Sequence, residues 1–218
     1  MLVNILDTEN SILNKFISEI RDFVIQKDAM RFRRNIERIG EILAYELSQT
    51  LTYKNLNVVT AFGTKNVQIH NKDIVLCSIL RAGLPLHSGL LNYFDDAENA
   101  FISAYRKHIN KFEFEIKVEY SASPSLDNKT LILADPMLAT GQSLVATCEA
   151  LKPFGIPKEI HLVNVIGAQD GVDFIDSYFP ENTHLWIATV DEELNNKGYI
   201  VPGLGDAGDL AFGEKLQR

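Results

Sequence analysis

The fold is decided by residues 130–143, which read TLILADPMLATGQS. The stretch begins as a short apolar run, passes through one acidic residue, Asp135, and ends in the small and hydroxylated residues ATGQS. The residues VATCEALK that follow read as a helix. A buried strand that runs through a small-residue loop into a helix is the recurring unit of parallel sheets covered by helices. We therefore expect the rest of the chain to repeat this unit.

Short apolar runs on either side of the stretch repeat the pattern. Residues 73–80, 99–105, 159–165 and 184–190 are predicted strands, and residues 84–94 and 172–178 are predicted helices. Folds of this kind bind ligands beyond the carboxyl ends of their strands. We predict an α/β fold with a largely parallel central sheet flanked by helices, and a ligand site at the strand ends.

Two segments depart from this alternation. Apolar residues recur at helical spacing in residues 12–24 and 32–47, which predicts two amphipathic helices, and strand-like residues 56–60 and 67–69 follow. The segment FEFEIKVEY, residues 112–120, alternates strictly between apolar and charged side chains. That pattern predicts a half-exposed strand, antiparallel and outside the main sheet.

Composition limits the possible classes of protein. The formal net charge of −8 over 218 residues argues against a general nucleic-acid binder, which normally carries a basic face. Two cysteines, Cys77 and Cys148, exclude a disulfide scaffold and cannot alone form a structural zinc site. The N-terminus lacks the basic start of a signal peptide, and no apolar run approaches the ~20 residues of a membrane span. We expect a cytoplasmic protein that forms one domain over residues 1–218.

The loop at residues 139–143 suits a bound anion. Small residues let backbone N–H groups approach a phosphate, the hydroxyls of Thr140 and Ser143 add donors, and a helix N-terminus adds positive partial charge. No lysine follows in the GK[ST] pattern, so this is not a triphosphate P-loop. An ordinary strand–turn–helix junction with a serine cap is the alternative. The local pattern leaves both interpretations open.

Two further segments place polar groups where ligands bind. Arg81 follows the strand of residues 73–80, and its guanidinium can face a phosphate, although a surface arginine before a turn is the alternative. The segment 198–209, GYIVPGLGDAGD, is too apolar for a solvated tail. We expect a folded loop whose backbone groups can contact the edge of a planar base, and a flexible tail is the alternative.

The strings DPMLATG, ILRAGL and GLGDAGD resemble the uracil phosphoribosyltransferase family of the type I phosphoribosyltransferases. The resemblance covers most of the chain and implies a type I phosphoribosyltransferase-like fold. It implies transfer of the phosphoribosyl group of PRPP to uracil, giving UMP and pyrophosphate for pyrimidine salvage. The implied parts are N-terminal helices (1–55), an antiparallel β arm (107–125) and a uracil-binding C-terminal segment (191–218).

The resemblance also implies site residues. The catalytic residues are Asp135, which binds the ribose hydroxyls, Arg81 and Asp206. Uracil contacts Ile200, Gly205, Asp206 and Ala207. The residues implied to bind PRPP are Arg81, Arg106, Asp135, Pro136, Met137, Leu138, Ala139, Thr140, Gly141, Gln142, Ser143 and Asp206.

The family further implies Mg²⁺, held mainly through PRPP and without direct protein ligands, a homodimer or larger homo-oligomer, and GTP as a possible effector. Two departures stand out: Gln142 replaces the family's usual glycine, and Lys107 to Asn110 replace its acidic-then-threonine stretch.

Three alternatives compete with this interpretation. The first is a non-catalytic regulator on the same fold that senses PRPP or uracil; such a protein would be expected to lose Asp135, Arg81 or the GDAGD segment, and all three are present. The second is a transferase for another base, such as a purine, against which Pro136 and GLGDAGD argue. The third is a structural protein, which would leave three ligand-shaped loops without a use.

Overall fold

The computed structural model describes residues 1–108 and 114–216, with side chains described for residues 1–104 and 117–216. The elements in chain order are β1 (Leu2–Ile5), α1 (Ile12–Arg21), α2 (Ala29–Ser48), β2 (Tyr53–Thr60), β3 (Gly63–His70), β4 (Ile74–Leu80), α3 (Leu84–Leu91), β5 (Glu98–His108), β6 (Phe114–Ala122), β7 (Thr130–Ala134), β8 (Met137–Leu138), α4 (Gln142–Leu151), β9 (Glu159–Ala168), α5 (Gln169–Tyr178), β10 (Thr183–Asp191), β11 (Glu193–Leu194), β12 (Ile200–Val201) and α6 (Ala207–Phe212).

The central sheet has the strand order β1-β10-β9-β7-β4-β5-β6, with the short β8 paired to β9. Every pair in it is parallel except β5 with β6. Parallel neighbours place their carboxyl ends at one edge, so the segments after β4, β7, β9 and β10 meet there. The predicted α/β fold with a largely parallel sheet is confirmed.

Two hydrophobic cores cover the two faces of this sheet. β4 contributes alternately to both: Ile74 and Leu76 belong to one buried cluster, whereas Val75, Cys77 and Ile79 belong to the other. Alternation of side chains along a strand, combined with burial of both faces, explains why β4 reads as one continuous apolar run. Among the described residues, the helices include none long and apolar enough to cross a membrane.

The helices begin where the sequence supplies caps. Ser11 and Asn14 form a capping box at the start of α1, and the Asp28 side chain accepts the N–H of Arg31 at the start of α2. The connection between them places α1 and α2 side by side. Both helices contribute buried residues to the same core as the C-terminal loop, among them Ile20 and Phe32.

One strand lies elsewhere than predicted. β6 is antiparallel, as expected, but it forms the edge of the main sheet and not a strand outside it. The difference arises because β5 continues to His108, beyond the predicted end at residue 105, and β6 pairs along it. Phe112 and the rest of residues 109–113 lie outside the described residues. Among the described residues, two antiparallel ribbons are separate from the main sheet: the hairpin of β2 and β3, and the short pair of β11 and β12.

The N-terminal segment contains a strand in addition to the predicted helices. Residues 2–5 form β1, which pairs with β10 at the other edge of the sheet and was not predicted. The sequence LVNI is too short to show a period, so a four-residue edge strand leaves no clear signal.

Candidate active site

Three of the predicted segments lie together at the carboxyl edge of the sheet. β4 and β7 are parallel neighbours, and Arg81 and Asp135 follow directly after them. A Cβ atom built on Gly83 would lie 3.1 Å from the carbonyl oxygen of Ala134, and one built on Gly208 would lie 3.8 Å from Nε of Arg81. The turn after β4 therefore contacts both the end of β7 and the start of α6.

A small hollow, open to solvent, lies where β7 passes through its loop into α4. Gly141 is the N-cap of α4, and it has no side chain that could cap the helix. Ser143, the cap expected of an ordinary junction, lies inside the first turn instead. The first N–H groups of a helix have no intrahelical partner and favour an anion. The hollow is lined by Asp135, Met137, Leu138, Ala139, Thr140, Gly141, Ser143 and Leu144.

The shape of this loop depends on two close approaches to α5. Gly141 has φ +77°, and a Cβ atom there would lie 2.6 Å from Cγ2 of Ile175 and 2.8 Å from Cδ1 of Phe174. A Cβ atom on Gly171 would lie 2.1 Å from the carbonyl oxygen of Ala139. Neither position has room for a side chain, so α5 supports the loop from behind. The role of Gly171 was not predictable from the sequence, because it depends on a helix packed against the loop.

Gln142 and Pro136 take different positions around the hollow. Gln142 is exposed and does not line it, and its backbone N–H points to Oγ1 of Thr140 at 3.5 Å. Pro136 is buried, and its carbonyl oxygen accepts the N–H groups of Val165 and Ile166 in β9, both at 3.0 Å. Pro136 thus attaches the loop to β9, whereas the Gln142 side chain leaves the hollow open.

Asp135 is positioned by its neighbour strand β9. Its backbone N–H donates to the carbonyl oxygen of Val163 at 3.1 Å, and its own carbonyl oxygen accepts Nδ2 of Asn164 at 2.5 Å. The N–H of Met137 donates to Oδ1 of the Asp135 carboxylate at 3.4 Å. Asn164 is fully buried, and its Oδ1 has no hydrogen-bond partner within the part of the chain that the structure describes. A polar residue in the buried run LVNVIG was the signal that could have identified Asn164.

Arg81 is held by the C-terminal segment. Its Nη2 donates to Oδ1 of Asp209 at 2.8 Å and to the carbonyl oxygen of Gly213 at 2.5 Å. About a third of each charged side chain in the Arg81–Asp209 pair remains exposed. The guanidinium is therefore placed between the strand-end turn and α6, and it retains access to solvent.

The segment that contains the predicted base contacts is folded against the core. Ile200 and Leu204 are buried and belong to a core cluster. Gly203 has φ +59°, and a Cβ atom there would lie 2.1 Å from the carbonyl oxygen of Ile200, so the turn requires glycine. Gly205 has φ +98° and Ala207 is buried at the start of α6. The flexible-tail alternative does not fit this packing.

Asp206 caps α6. Its Oδ1 accepts the backbone N–H of Asp209 at 3.0 Å, and its Oδ2 pairs with Nζ of Lys215 at 3.1 Å. Burial acts to raise the pKa of Asp206, but the Asp209 N–H and the Lys215 ammonium outweigh it and hold the pKa below its ordinary value. Asp206 is therefore an anion at neutral pH, and its Oδ1 binds the backbone N–H of Asp209, the ion-pair partner of Arg81.

Two charged residues that were not among the predicted site residues also contact the C-terminal loop. The carbonyl oxygen of Gly203 accepts Nη1 of Arg21 at 3.2 Å, and the Gly203 N–H donates to Oδ2 of Asp191 at 2.8 Å. No local pattern identifies Arg21, because 182 residues separate it from its partner in the loop.

Two further features of the site concern Arg106 and possible metal ligands. The backbone of Arg106 lies in β5 opposite Ile116, and its side chain is outside the described residues. Within the described residues, no group of three or more His, Cys, Asp or Glu side chains is arranged to hold a metal ion.

The chain is similar to known proteins over nearly its whole length. The family model described as uracil phosphoribosyltransferase matches residues 8–214. A uracil phosphoribosyltransferase from Porphyromonas gingivalis is 52% identical over 211 residues, covering 97% of this chain and 98% of that protein. One from Methanothermobacter thermautotrophicus is 40% identical over 215 residues, covering 98% of this chain and 96% of that protein.

Solved structures show the same fold. A protein from Aquifex aeolicus superposes with a TM-score of 0.86 at 32% identity, covering 99% of this chain and all of that one. A hypoxanthine phosphoribosyltransferase from Staphylococcus aureus superposes with a TM-score of 0.51 at 15% identity, covering 85% of this chain and 83% of that one. The second likeness concerns the fold alone.

Proposed function

The chain belongs to the uracil phosphoribosyltransferase family, and from this premise we infer that it joins uracil to the phosphoribosyl group of PRPP, giving UMP and pyrophosphate. The protein is thus a pentosyltransferase of pyrimidine salvage. One observation supports the location of the active site. Three segments that are predicted to bind ligand, after β4, after β7 and before α6, lie together at one edge of the sheet. The comparisons lend no support to the sensing regulator.

We propose that the loop between β7 and α4 binds the 5′-phosphate of PRPP. The hollow there is bordered by the uncapped start of α4, whose N–H groups suit a phosphate monoester. Thr140 and Ser143 supply hydroxyl donors at its lining. Asp135, at the same hollow, is placed to accept the ribose hydroxyls. Asn164 and β9 hold the Asp135 backbone, so the carboxylate starts from a fixed position.

The reaction breaks the bond between the anomeric carbon and a pyrophosphate oxygen, and the electron pair leaves with pyrophosphate. A uracil nitrogen forms the new bond to that carbon and releases its proton to solvent. Such glycosyl transfers pass through a transition state like an oxocarbenium ion. The protein's contribution is therefore positioning and stabilisation of charge. Arg81 and Arg106 are proposed to stabilise the negative charge that develops on the leaving group.

We propose that Ile200, Gly205, Asp206 and Ala207 contact uracil. Close packing of Ile200 and positive φ at Gly205 give the backbone a defined path along which N–H and C=O groups can meet a planar base. Asp206 stays ionised because the Asp209 N–H and Lys215 lower its pKa. An anion at this place can orient the base by accepting one of its N–H groups.

We propose an Mg²⁺ ion that is held mainly through the substrate. Asp135 lines the hollow and supplies a carboxylate oxygen, a kind of ligand that suits Mg²⁺. Mg²⁺ bound to phosphate substrates usually keeps several waters and needs few protein ligands. When bound, the ion would neutralise charge on the pyrophosphate and ribose oxygens of PRPP.

The assay for this function is UMP formation from labelled uracil, PRPP and Mg²⁺, with cytosine, hypoxanthine and adenine as parallel substrates. UMP from uracil alone is the expected result. A nucleotide from hypoxanthine or adenine would assign the protein to another base, and PRPP binding without any product would support the sensing regulator. Omission of Mg²⁺, or its removal with a chelator, is expected to abolish UMP formation.

We further propose a homodimer or larger homo-oligomer of one-domain subunits that act in the cytoplasm. Support for assembly comes from the β2–β3 hairpin, which exposes Val59 and Phe62 on an antiparallel ribbon outside the main sheet. Apolar patches of this kind commonly mark interfaces. Sedimentation of the protein tests the assembly. GTP as an effector rests on the family resemblance, and addition of GTP to the UMP assay tests it.

A further inference from the structure

The C-terminal loop is held by a buried ion pair that lies outside all three site segments. Arg21, the last residue of α1, makes two bonds to the Asp191 carboxylate at the end of β10: Nη1 to Oδ2 at 2.8 Å and Nη2 to Oδ1 at 2.6 Å. The Asp191 side chain is 8% exposed and that of Arg21 is 22% exposed. Nη2 of Arg21 also donates to Oγ1 of Thr189 at 3.3 Å. A two-pronged guanidinium–carboxylate contact fixes geometry as well as charge.

Both members of the pair also bind one peptide residue of the loop. Oδ2 of Asp191 accepts the Gly203 N–H at 2.8 Å, and Nη1 of Arg21 donates to the Gly203 carbonyl oxygen at 3.2 Å. Leu204, the next residue, is held in the same way. The Gln26 side-chain amide is oriented so that its oxygen and its nitrogen both have suitable neighbours, and its nitrogen donates to the Leu204 carbonyl oxygen at 2.8 Å. The turn of residues 203–204 is thus anchored by side chains from outside the loop.

These anchors lie in the middle of the segment that is proposed to bind uracil. Ile200 precedes the turn and Gly205 to Ala207 follow it. Burial of Ile200 and Leu204 attaches the loop to the core, but apolar packing has no direction. The ion pair supplies directed bonds, and these determine where the backbone N–H and C=O groups of the loop point.

We propose that Arg21 and Asp191 are positioning residues for the base: they fix the turn at Gly203 so that the following residues can bind uracil. This inference rests on the proposed function of the loop. Neither side chain needs to touch a substrate, and neither belongs to the PRPP part of the site. Their loss should therefore weaken uracil binding selectively.

The chain contains a matched control. Arg31 and Glu19 form a second two-pronged pair between α1 and α2, with Nε to Oε2 at 3.0 Å and Nη2 to Oε1 at 2.7 Å. The Glu19 side chain is 10% exposed, close to the burial of Asp191. Within the part of the chain that the structure describes, the Arg31–Glu19 pair makes no hydrogen bond with the Gly203 turn, so its loss affects stability without releasing the loop.

The test compares Arg21→Met with Arg31→Met in steady-state UMP formation. Arg21→Met is expected to raise KM for uracil about tenfold or more, because the bond from Arg21 to the Gly203 carbonyl oxygen is lost and Asp191, which accepts the Gly203 N–H, loses its ion-pair partner. KM for PRPP is expected to change by less than about twofold. Arg21→Lys, which keeps the charge but not the two-pronged contact, should restore only part of the uracil affinity. Arg31→Met is expected to lower Tm while both KM values stay near those of the wild type.

Hydrogen exchange of the amides of residues 200–206 provides a readout that does not depend on activity. Arg21→Met and Asp191→Asn are expected to accelerate exchange in this segment, and Arg31→Met is not. If wild-type protein makes no UMP, the proposed function fails, and the anchoring is still judged by exchange. Unchanged exchange in both Arg21→Met and Asp191→Asn would overturn the inference, as would equal increases in KM for uracil and PRPP.

Discussion

Substitution of Gly141 by alanine tests how α5 supports the phosphate loop. A left-handed backbone costs a non-glycine residue about 1–2 kcal/mol, and Gly141 has φ +77°. The added methyl would also lie 2.6 Å from Ile175 and 2.8 Å from Phe174, and overpacking of this kind costs about 1–3 kcal/mol. We expect Gly141→Ala to lower the free energy of unfolding by about 2–5 kcal/mol, and to raise KM for PRPP because the loop shifts to relieve the contact.

The measurement is denaturant-induced unfolding combined with KM for PRPP and uracil. Gly213→Ala is a control for backbone strain: Gly213 has φ +85° and ψ 161°, and no described atom lies within 4 Å of a Cβ atom built there. It should lose about 1–3 kcal/mol from backbone strain alone, and it serves for stability only, because its carbonyl oxygen accepts a bond from Arg81. Overpacking is refuted as a cause if Gly141→Ala loses no more than about 1–2 kcal/mol, the cost of a left-handed backbone. The assignment of the loop to PRPP is refuted if Gly141→Ala unfolds more easily but binds PRPP normally.

Three further variants test the rest of the site and the sheet. Asp135→Asn should lower kcat about 100-fold or more with an unchanged free energy of unfolding, because a charge that faces the reacting sugar is lost. Arg81→Ala should raise KM for PRPP about tenfold or more and leave KM for uracil within about twofold. Glu159→Gln should lower the free energy of unfolding at neutral pH. The neighbouring His161 ring and the Thr130 hydroxyl hold the pKa of Glu159 at about 2, below its ordinary value of 4.5. The carboxylate therefore stabilises the fold fully above pH 4.5. Chemical unfolding should show this difference from wild type disappearing as the pH falls from 4.5 to 2.

Each of these expectations has a contrary result. Near-normal turnover in Asp135→Asn would remove the carboxylate from the ribose site. An unchanged PRPP requirement in Arg81→Ala would remove Arg81 from the pyrophosphate site. A stability difference for Glu159→Gln that persists at pH 2 would show that the carboxylate stabilises the fold by packing and not by charge.

The fold class and the family followed from the sequence because both depend on local strings. Parallel strands between covering helices read as short apolar runs, and β7 with its loop into α4 is visible in TLILADPMLATGQS. The position of β6 did not follow, because an alternating strand has the same pattern at the edge of a main sheet as in a separate ribbon. β1 was missed because four residues are too few for a period.

The site residues in the strand-end loops were predictable from the sequence, but the residues that hold those loops in place were not. Arg81 and Asp135 follow buried strands, so topology alone places them at one edge. Asn164 and Arg21 act on loops that are distant in sequence, and no local spacing reports such contacts. The roles of the residues that the family resemblance named stay predictions until the variants are measured.

The contact between Arg21 and Gly203 joins positions 182 residues apart in the chain. During synthesis at about 5–20 residues per second, α1 would leave the ribosome well before the turn that it anchors. Loops of this length close slowly, and pairings between distant positions form late in folding. The base site is then among the last parts of the molecule to become complete. A nascent chain that can already fold its phosphate loop still lacks the uracil loop, so retention on immobilised uracil would distinguish finished molecules from partly folded ones.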